Sequence, residues 1–118
     1  MSIETDHAAD EYTRHIYDVV NGVQELREIR EQAFAQSEQW GRELTRLLKD
    51  QDDVPKKHLF AIFQAAGILE NEAAEREAPK QKRILEIVDA IRLTFYLMLT
   101  GQSRDEYVLP RPGVPRVR

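Results

Sequence analysis

The fold is decided by residues 12–48, which read YTRHIYDVVNGVQELREIREQAFAQSEQWGRELTRLL. Apolar residues recur along this stretch at steps of three, four and seven: Tyr12, Ile16, Val19, Val23, Leu26, Ala33, Trp40, Leu44 and Leu47. A β-strand cannot produce this period, which is typical of a helix that buries one face. Because residues 2–50 contain no proline, we expect one continuous helix there, with at most a mild bend at Gly22 and Gly41.

Two shorter helices are expected after a turn at residues 50–55. The first of them carries the apolar series Leu59, Ile62, Phe63, Ala66, Leu69 and Ala73. Pro79 either ends this helix or kinks it, so separate helices at 54–77 and 80–100 and one kinked helix both remain open. The sequence thus predicts an all-α protein, a long antiparallel helical hairpin or three-helix bundle over residues 1–101. An extended or disordered tail rich in proline and arginine is expected over residues 102–118.

The last predicted helix is apolar on more than one side. One stripe consists of Ile84, Val88, Ile91, Phe95 and Met98, and a second side carries Leu93, Tyr96 and Leu97. A helix that is apolar all round is buried, and three helices from one chain cannot cover it on every side. We therefore expect a homo-oligomer or a protein partner that binds at Leu93, Tyr96 and Leu97.

The tail offers a second candidate for partner binding. It reads QSRDEYVLPRPGVPRVR over residues 102–118, and its prolines exclude a helix. An extended segment of this kind can dock on another subunit. Its candidate contact residues are Tyr107, Leu109 and Arg111.

Arg30 interrupts the apolar series of the first helix. A charge at such a position has to be paired, because an unpaired buried charge is strongly destabilising. The structural interpretation pairs Arg30 with a carboxylate of an opposing helix, such as Glu70, Glu72 or Glu75. The functional alternative is a bound phosphate or carboxylate ligand.

Acidic residues in the second half of the chain suggest a possible enzyme. Glu72 and Glu75 form E-x-x-E, and Glu86 and Asp89 form E-x-x-D; two helices with such motifs can hold Mg²⁺ between them. Over residues 70–101 this pattern resembles the all-α nucleoside-triphosphate pyrophosphohydrolases of the MazG type. It departs from that family in having Asn71 before Glu72, and in a shorter connection between the motifs.

A further set of potential metal ligands lies near the N-terminus. His7, Glu11, His15 and Asp18 recur at helical spacing on one face, which can place imidazoles and carboxylates around a metal. The alternative, which we favour, is an exposed and solvated stripe.

Composition excludes several other functions. The 118 residues contain no cysteine, which rules out disulfides, thiolate metal sites and a cysteine nucleophile. None of the three serines lies in a G-x-S-x-G turn. With 17 basic and 21 acidic residues the net charge is -4, which argues against broad nucleic-acid binding. No stretch is long and apolar enough for a membrane span, and we expect a cytoplasmic protein.

Together these patterns favour a non-enzymatic helical protein–protein interaction module. We expect a small subunit or adaptor of a larger assembly, oligomeric and without a cofactor. The alternative is an Mg²⁺-dependent pyrophosphohydrolase that uses Glu72, Glu75, Glu86 and Asp89.

Overall fold

A computed structural model describes residues 2–107 and places most of them in four α-helices. The helices are α1 (Ile3–Asn21), α2 (Glu31–Leu47), α3 (Lys56–Ala74) and α4 (Lys80–Thr100). Residues 2–107 contain no β-strand, so the predicted all-α class is confirmed. The predicted tail beyond Tyr107, with Leu109 and Arg111, lies outside the described residues.

The expected continuous first helix is wrong, because the chain reverses direction between α1 and α2. Residues Gly22–Leu26 form one π-helical turn, and Arg27 then adopts a left-handed conformation with φ of 54°. After this reversal the side chain of Arg30 packs against Gly22. A Cβ at Gly22 would lie 2.9 Å from Arg30 Cγ, closer than two carbon atoms tolerate. The apolar series stays in phase across the break, so its phase alone cannot distinguish one long helix from two helices that face each other.

The four helices form two antiparallel hairpins. In the first hairpin, Gly41 of α2 packs on the ring of Tyr12 of α1. In the second, an ion pair joins Glu70 of α3 to Arg92 of α4. The hairpins pack side by side, with α1 against α3 and α2 against α4. The result is a bundle of 40 × 36 × 22 Å with four helices instead of the expected three.

The open question at Pro79 is settled by the ends of α3 and α4. Helix α3 ends at Ala74 and α4 begins at Lys80. The helix therefore ends before Pro79, and the two segments are separate helices. Gly101 ends α4 in a left-handed conformation with φ of 72°, as its position predicts.

One apolar core runs through the bundle, and every helix contributes to it. Its largest members include Tyr12, Ile16, Leu44, Ile62, Leu69, Ile84 and Ile91. Residues 101–107 fold back over one end of the helices, where the Asp50 N–H donates to the Gly101 carbonyl at 3.1 Å. Within residues 2–107 no helix meets the length and apolarity that crossing a membrane requires.

Candidate functional site

The most unusual surface of the bundle is the outer face of α3. Phe60 and Phe63 leave 64% and 68% of their surface exposed. The inner face of the same helix buries His58, Ile62, Ala65, Ala66, Leu69 and Ala73. A helix that only needed to join this core would carry polar residues on its outer side. The outer side of α3 instead carries two of the largest apolar side chains.

The exposed apolar area continues from α3 onto α4. The rings of Phe63 and Phe95 lie 6.1 Å apart, centroid to centroid, and are inclined at 48°. One turn further along α4, Leu99 is 56% exposed. We call Phe60, Phe63, Phe95 and Leu99 the aromatic surface. Its members come from both helices of one hairpin, so the packing of α3 on α4 fixes the shape of the surface.

Charged groups lie at both ends of the aromatic surface. At one end, the guanidinium of Arg92 binds both carboxylate oxygens of Glu70, at 2.8 and 3.2 Å. This bond lowers the pKa of Glu70 and raises that of Arg92. At the other end, an open cavity of about 420 Å³ next to Leu99 is bordered by Asp50 and Asp52. An apolar centre between charged ends is typical of a protein-binding surface.

The partner-binding residues predicted on α4 are only partly exposed. Leu93 and Tyr96 are half-buried, and Leu97 is fully buried within the chain. Leu97 therefore does not belong to an exposed surface. The expectation assumed three helices, and the hairpin of α1 and α2 supplies a fourth that helps to cover α4. Tyr107 is half-buried in the segment that follows α4.

The sequence patterns did not single out Phe60 or Leu99, and they indicated Phe63 as part of the buried apolar series of α3. The spacing does contain a signal. Phe60 and Phe63 are three residues apart, and both lie on the opposite side of the helix from Leu69. A helical wheel drawn for α3 alone would have shown two apolar faces.

The four carboxylates of the enzyme alternative do not come together. Glu72 pairs with Arg76 at 2.8 Å, and Glu75 is exposed at the end of α3. Glu86 lies 3.5 Å from the guanidinium of Arg83. In the described part of the chain no three His, Cys, Asp or Glu side chains are placed to hold a metal ion.

Of the N-terminal candidates, Glu11, His15 and Asp18 line a groove between α1 and α2. His7 stacks edge-on against Trp40, with 5.3 Å between ring centroids. Arg14 binds Glu11 at 2.5 Å and lowers its pKa. The groove has a volume of about 640 Å³ and mixes acids with bases, so it selects no particular ligand charge.

Arg30 lies at the start of α2, in the same groove, and its side chain is 39% exposed. Its guanidinium lies 3.4 Å from Asp18 and 3.7 Å from Glu28. The expected partners on α3 are therefore replaced by carboxylates close in sequence. The reversal of the chain at Gly22 moves Arg30 out of the core and onto the groove.

A buried polar cluster that the sequence analysis did not anticipate lies where residues 101–107 meet the bundle. Arg104 donates to both oxygens of Glu38, at 2.9 and 3.0 Å, and to Thr94 Oγ1 at 2.7 Å. The Tyr12 hydroxyl is buried beside Thr94. Burial raises the pKa of Tyr12 well above its usual range. We call Tyr12, Glu38, Thr94 and Arg104 the polar cluster.

Comparison of the chain with protein-family models, with curated proteins and with solved structures finds no match.

Proposed function

We propose that this protein is a helical protein–protein interaction module, a small non-enzymatic subunit or adaptor of a larger assembly. In this proposal the aromatic surface is its binding face. The observation that supports the proposal is the exposure of Phe60 and Phe63 side by side on an ordered helix.

The aromatic surface consists of large apolar side chains, the kind that contribute most to protein–protein binding energy. Single exposed apolar residues are common on proteins, whereas contiguous exposed apolar groups mark interaction sites. Phenylalanine is enriched at protein interfaces, and a few large anchors supply most of the binding energy. Burial of apolar area yields about 25 cal/mol per Å². The two exposed rings, at roughly 100–150 Å² each, therefore represent about 5–7 kcal/mol of unused hydrophobic free energy.

The aromatic surface is also preorganised. The opposite face of α3 is locked into the core by Ile62 and Leu69, which are fully buried. A partner therefore does not have to order the helix before it binds, and less free energy is lost on association. A rigid helix face presented to a groove or a second helix is a common mode of recognition.

Site-directed photocrosslinking in the source cells tests the proposal. A photoreactive phenylalanine analogue at position 63 should yield a discrete crosslinked protein, because its ring lies in the proposed interface. The matched control carries the analogue at Leu26, which is 54% exposed but lies at the turn between α1 and α2.

Phe60→Ser with Phe63→Ser provides the second measurement. The double variant should keep the helical circular dichroism of the parent chain, since both rings lie outside the core, and should lose the partner from affinity capture. Equal crosslinking from positions 26 and 63, or full capture by the double variant, would refute the proposal. Mg²⁺-dependent pyrophosphate release that Glu86→Gln removes would favour the enzyme alternative instead.

A further inference from the structure

The outer face of α3 carries more than the two phenylalanines. Six of the residues on this face follow steps of four and three, as in a coiled-coil seam, and all of them except the half-buried Gly67 are exposed: Lys56, Phe60, Phe63, Gly67, Glu70 and Ala74. We call these six residues the outer seam. The steps place them in one line along the helix. A 19-residue helix makes this line about 28 Å long, which is enough for a helix–helix interface.

The charges of the outer seam are arranged asymmetrically. Lys56 lies at the beginning of α3, and Glu70 lies near its end with 52% of its side chain exposed. Phe63 lies midway between them in sequence. If a second copy of α3 packs antiparallel with Phe63 on the two-fold axis, Lys56 of each copy faces Glu70 of the other. A parallel pair would instead place like charges opposite each other.

The shape of the outer seam fits the same register. The surroundings of Gly67 are open, since a Cβ added there would meet no atom within 4 Å. In the antiparallel pair described above, Phe60 of one copy lies opposite position 66 of the other, and the outer-seam residue nearest to it is Gly67, about 1.5 Å further along the helix axis. A large ring then meets a residue without a side chain, as in the packing of knobs into holes. The two Phe63 rings meet each other at the axis.

We propose that this chain forms a two-fold symmetric dimer in which the outer seams of two copies pack antiparallel. This proposal rests on the proposed function, because it names a second copy of the chain as an occupant of the aromatic surface. Four phenylalanine rings in the dimer contribute roughly 500 Å² of apolar area. A specific interface needs about 1,000 Å² in total, so the flanks of α3 and Leu99 of α4 have to supply the remainder.

Sedimentation equilibrium of the full chain measures the association directly. The expected mass is twice the 13.7 kDa of one chain. Phe63→Ala should weaken the dimer by about a hundredfold, because each substitution removes two rings from the centre of the interface. Leu26→Ala, outside the outer seam, should leave the association constant unchanged.

Gly67→Gln separates loss of association from loss of folding. Because the space around Gly67 is open and glutamine favours helices over glycine, the thermal midpoint of the dilute monomer should stay the same or rise. The added side chain occupies the site of the Phe60 ring in the second copy, and association should fall at least tenfold. A Gly67→Gln variant that associates as tightly as the parent overturns the proposed register.

A charge exchange tests the antiparallel arrangement. Lys56→Glu should weaken self-association, and so should Glu70→Lys combined with Arg92→Glu, which preserves the ion pair between α3 and α4; each variant places two pairs of like charges opposite each other across the axis. A mixture of the two variants should form a heterodimer, because every pair across the axis is then of opposite charge. No heterodimer in the mixture means that the arrangement is wrong.

Failure of the dimer can be distinguished from failure of the proposed function. A chain that remains monomeric at every concentration overturns the dimer. If position 63 still crosslinks to another protein in that case, the proposed function stands. If position 63 yields no adduct of any kind, both proposals fail.

Discussion

Replacement of Arg104 by methionine tests how firmly residues 101–107 hold the bundle together. Methionine keeps most of the length and apolar stem of arginine but removes the charge and all five donors. Glu38 then loses both of its charged hydrogen bonds, and Thr94 loses its donor at 2.7 Å. The side chains of Arg104 and Glu38 are only 12% and 23% exposed, so water replaces these bonds poorly.

The expected loss of stability follows from this degree of burial. Breaking a fully buried ion pair costs about 3–5 kcal/mol, whereas an exposed pair contributes about 0–1 kcal/mol. The Arg104–Glu38 pair lies between these limits and nearer to the buried one, which gives about 2–3 kcal/mol. For 118 residues the unfolding entropy is about 0.25 kcal/mol per kelvin. The thermal midpoint should therefore fall by about 10 °C.

Thermal unfolding followed by circular dichroism measures this change, and Arg14→Met is the matched control. Arg14 also pairs with a glutamate, but 62% of its side chain is exposed, so its loss should lower the midpoint by no more than about 4 °C. A double-mutant cycle of Arg104→Met with Glu38→Gln isolates the coupling between the two groups. A midpoint shift for Arg104→Met no larger than that of Arg14→Met would show that residues 101–107 do not hold the bundle.

Two further predictions concern the glycines and the charged pairs. Gly41→Ala should destabilise the bundle by about 1–2 kcal/mol, because the new Cβ would lie 3.0 Å from the buried ring of Tyr12. Gly67→Ala should stabilise a dilute monomer by up to about 1 kcal/mol, because the new Cβ lies in open space. Urea unfolding of both variants measures whether the two changes in stability have opposite signs. Arginine partners lower the pKa values of Glu31 and Glu70 in the folded state, so the stability from these pairs is complete above the unfolded pKa and is lost as the pH falls through the folded one. Urea midpoints should accordingly change little with these groups between pH 6 and 8 and decline below about pH 4; a decline that Glu70→Gln with Glu31→Gln leaves unaltered would contradict the assignment.

The helical class could be predicted from the sequence because it depends on a local property, the period of apolar residues. The C-terminal end of α4 was also accessible, since Gly101 acts on its own backbone, whereas a kink and a break at Pro79 both remained open. The reversal at Gly22 was not accessible. It brings the side chain of Arg30 against the glycine, and this contact between residues at the ends of two different helices exists only once the chain has turned.

The candidate site was less predictable than the fold for the same reason. Exposure is a property of the assembled bundle, and the sequence does not state which apolar face of α3 or α4 the other helices cover. Counting three helices placed Leu97 on the surface, whereas it is fully buried in the bundle of four helices. For Phe63 the error was the reverse. Its apolar character predicted a core position, whereas its side chain is exposed.

The segment after α4 has a consequence for the order in which the bundle assembles. Each hairpin joins helices that are neighbours in sequence, so its chain closure is short. The contact between Arg104 and Glu38 instead spans 66 residues, and the backbone N–H of Arg104 reaches Thr45 across 59. Closing such long loops carries the larger entropic penalty. These contacts contribute little stability until the two hairpins have packed against each other. We therefore expect residues 101–107 to close late in folding and to open first in the native state, which would expose Tyr12 to water while the four helices remain intact.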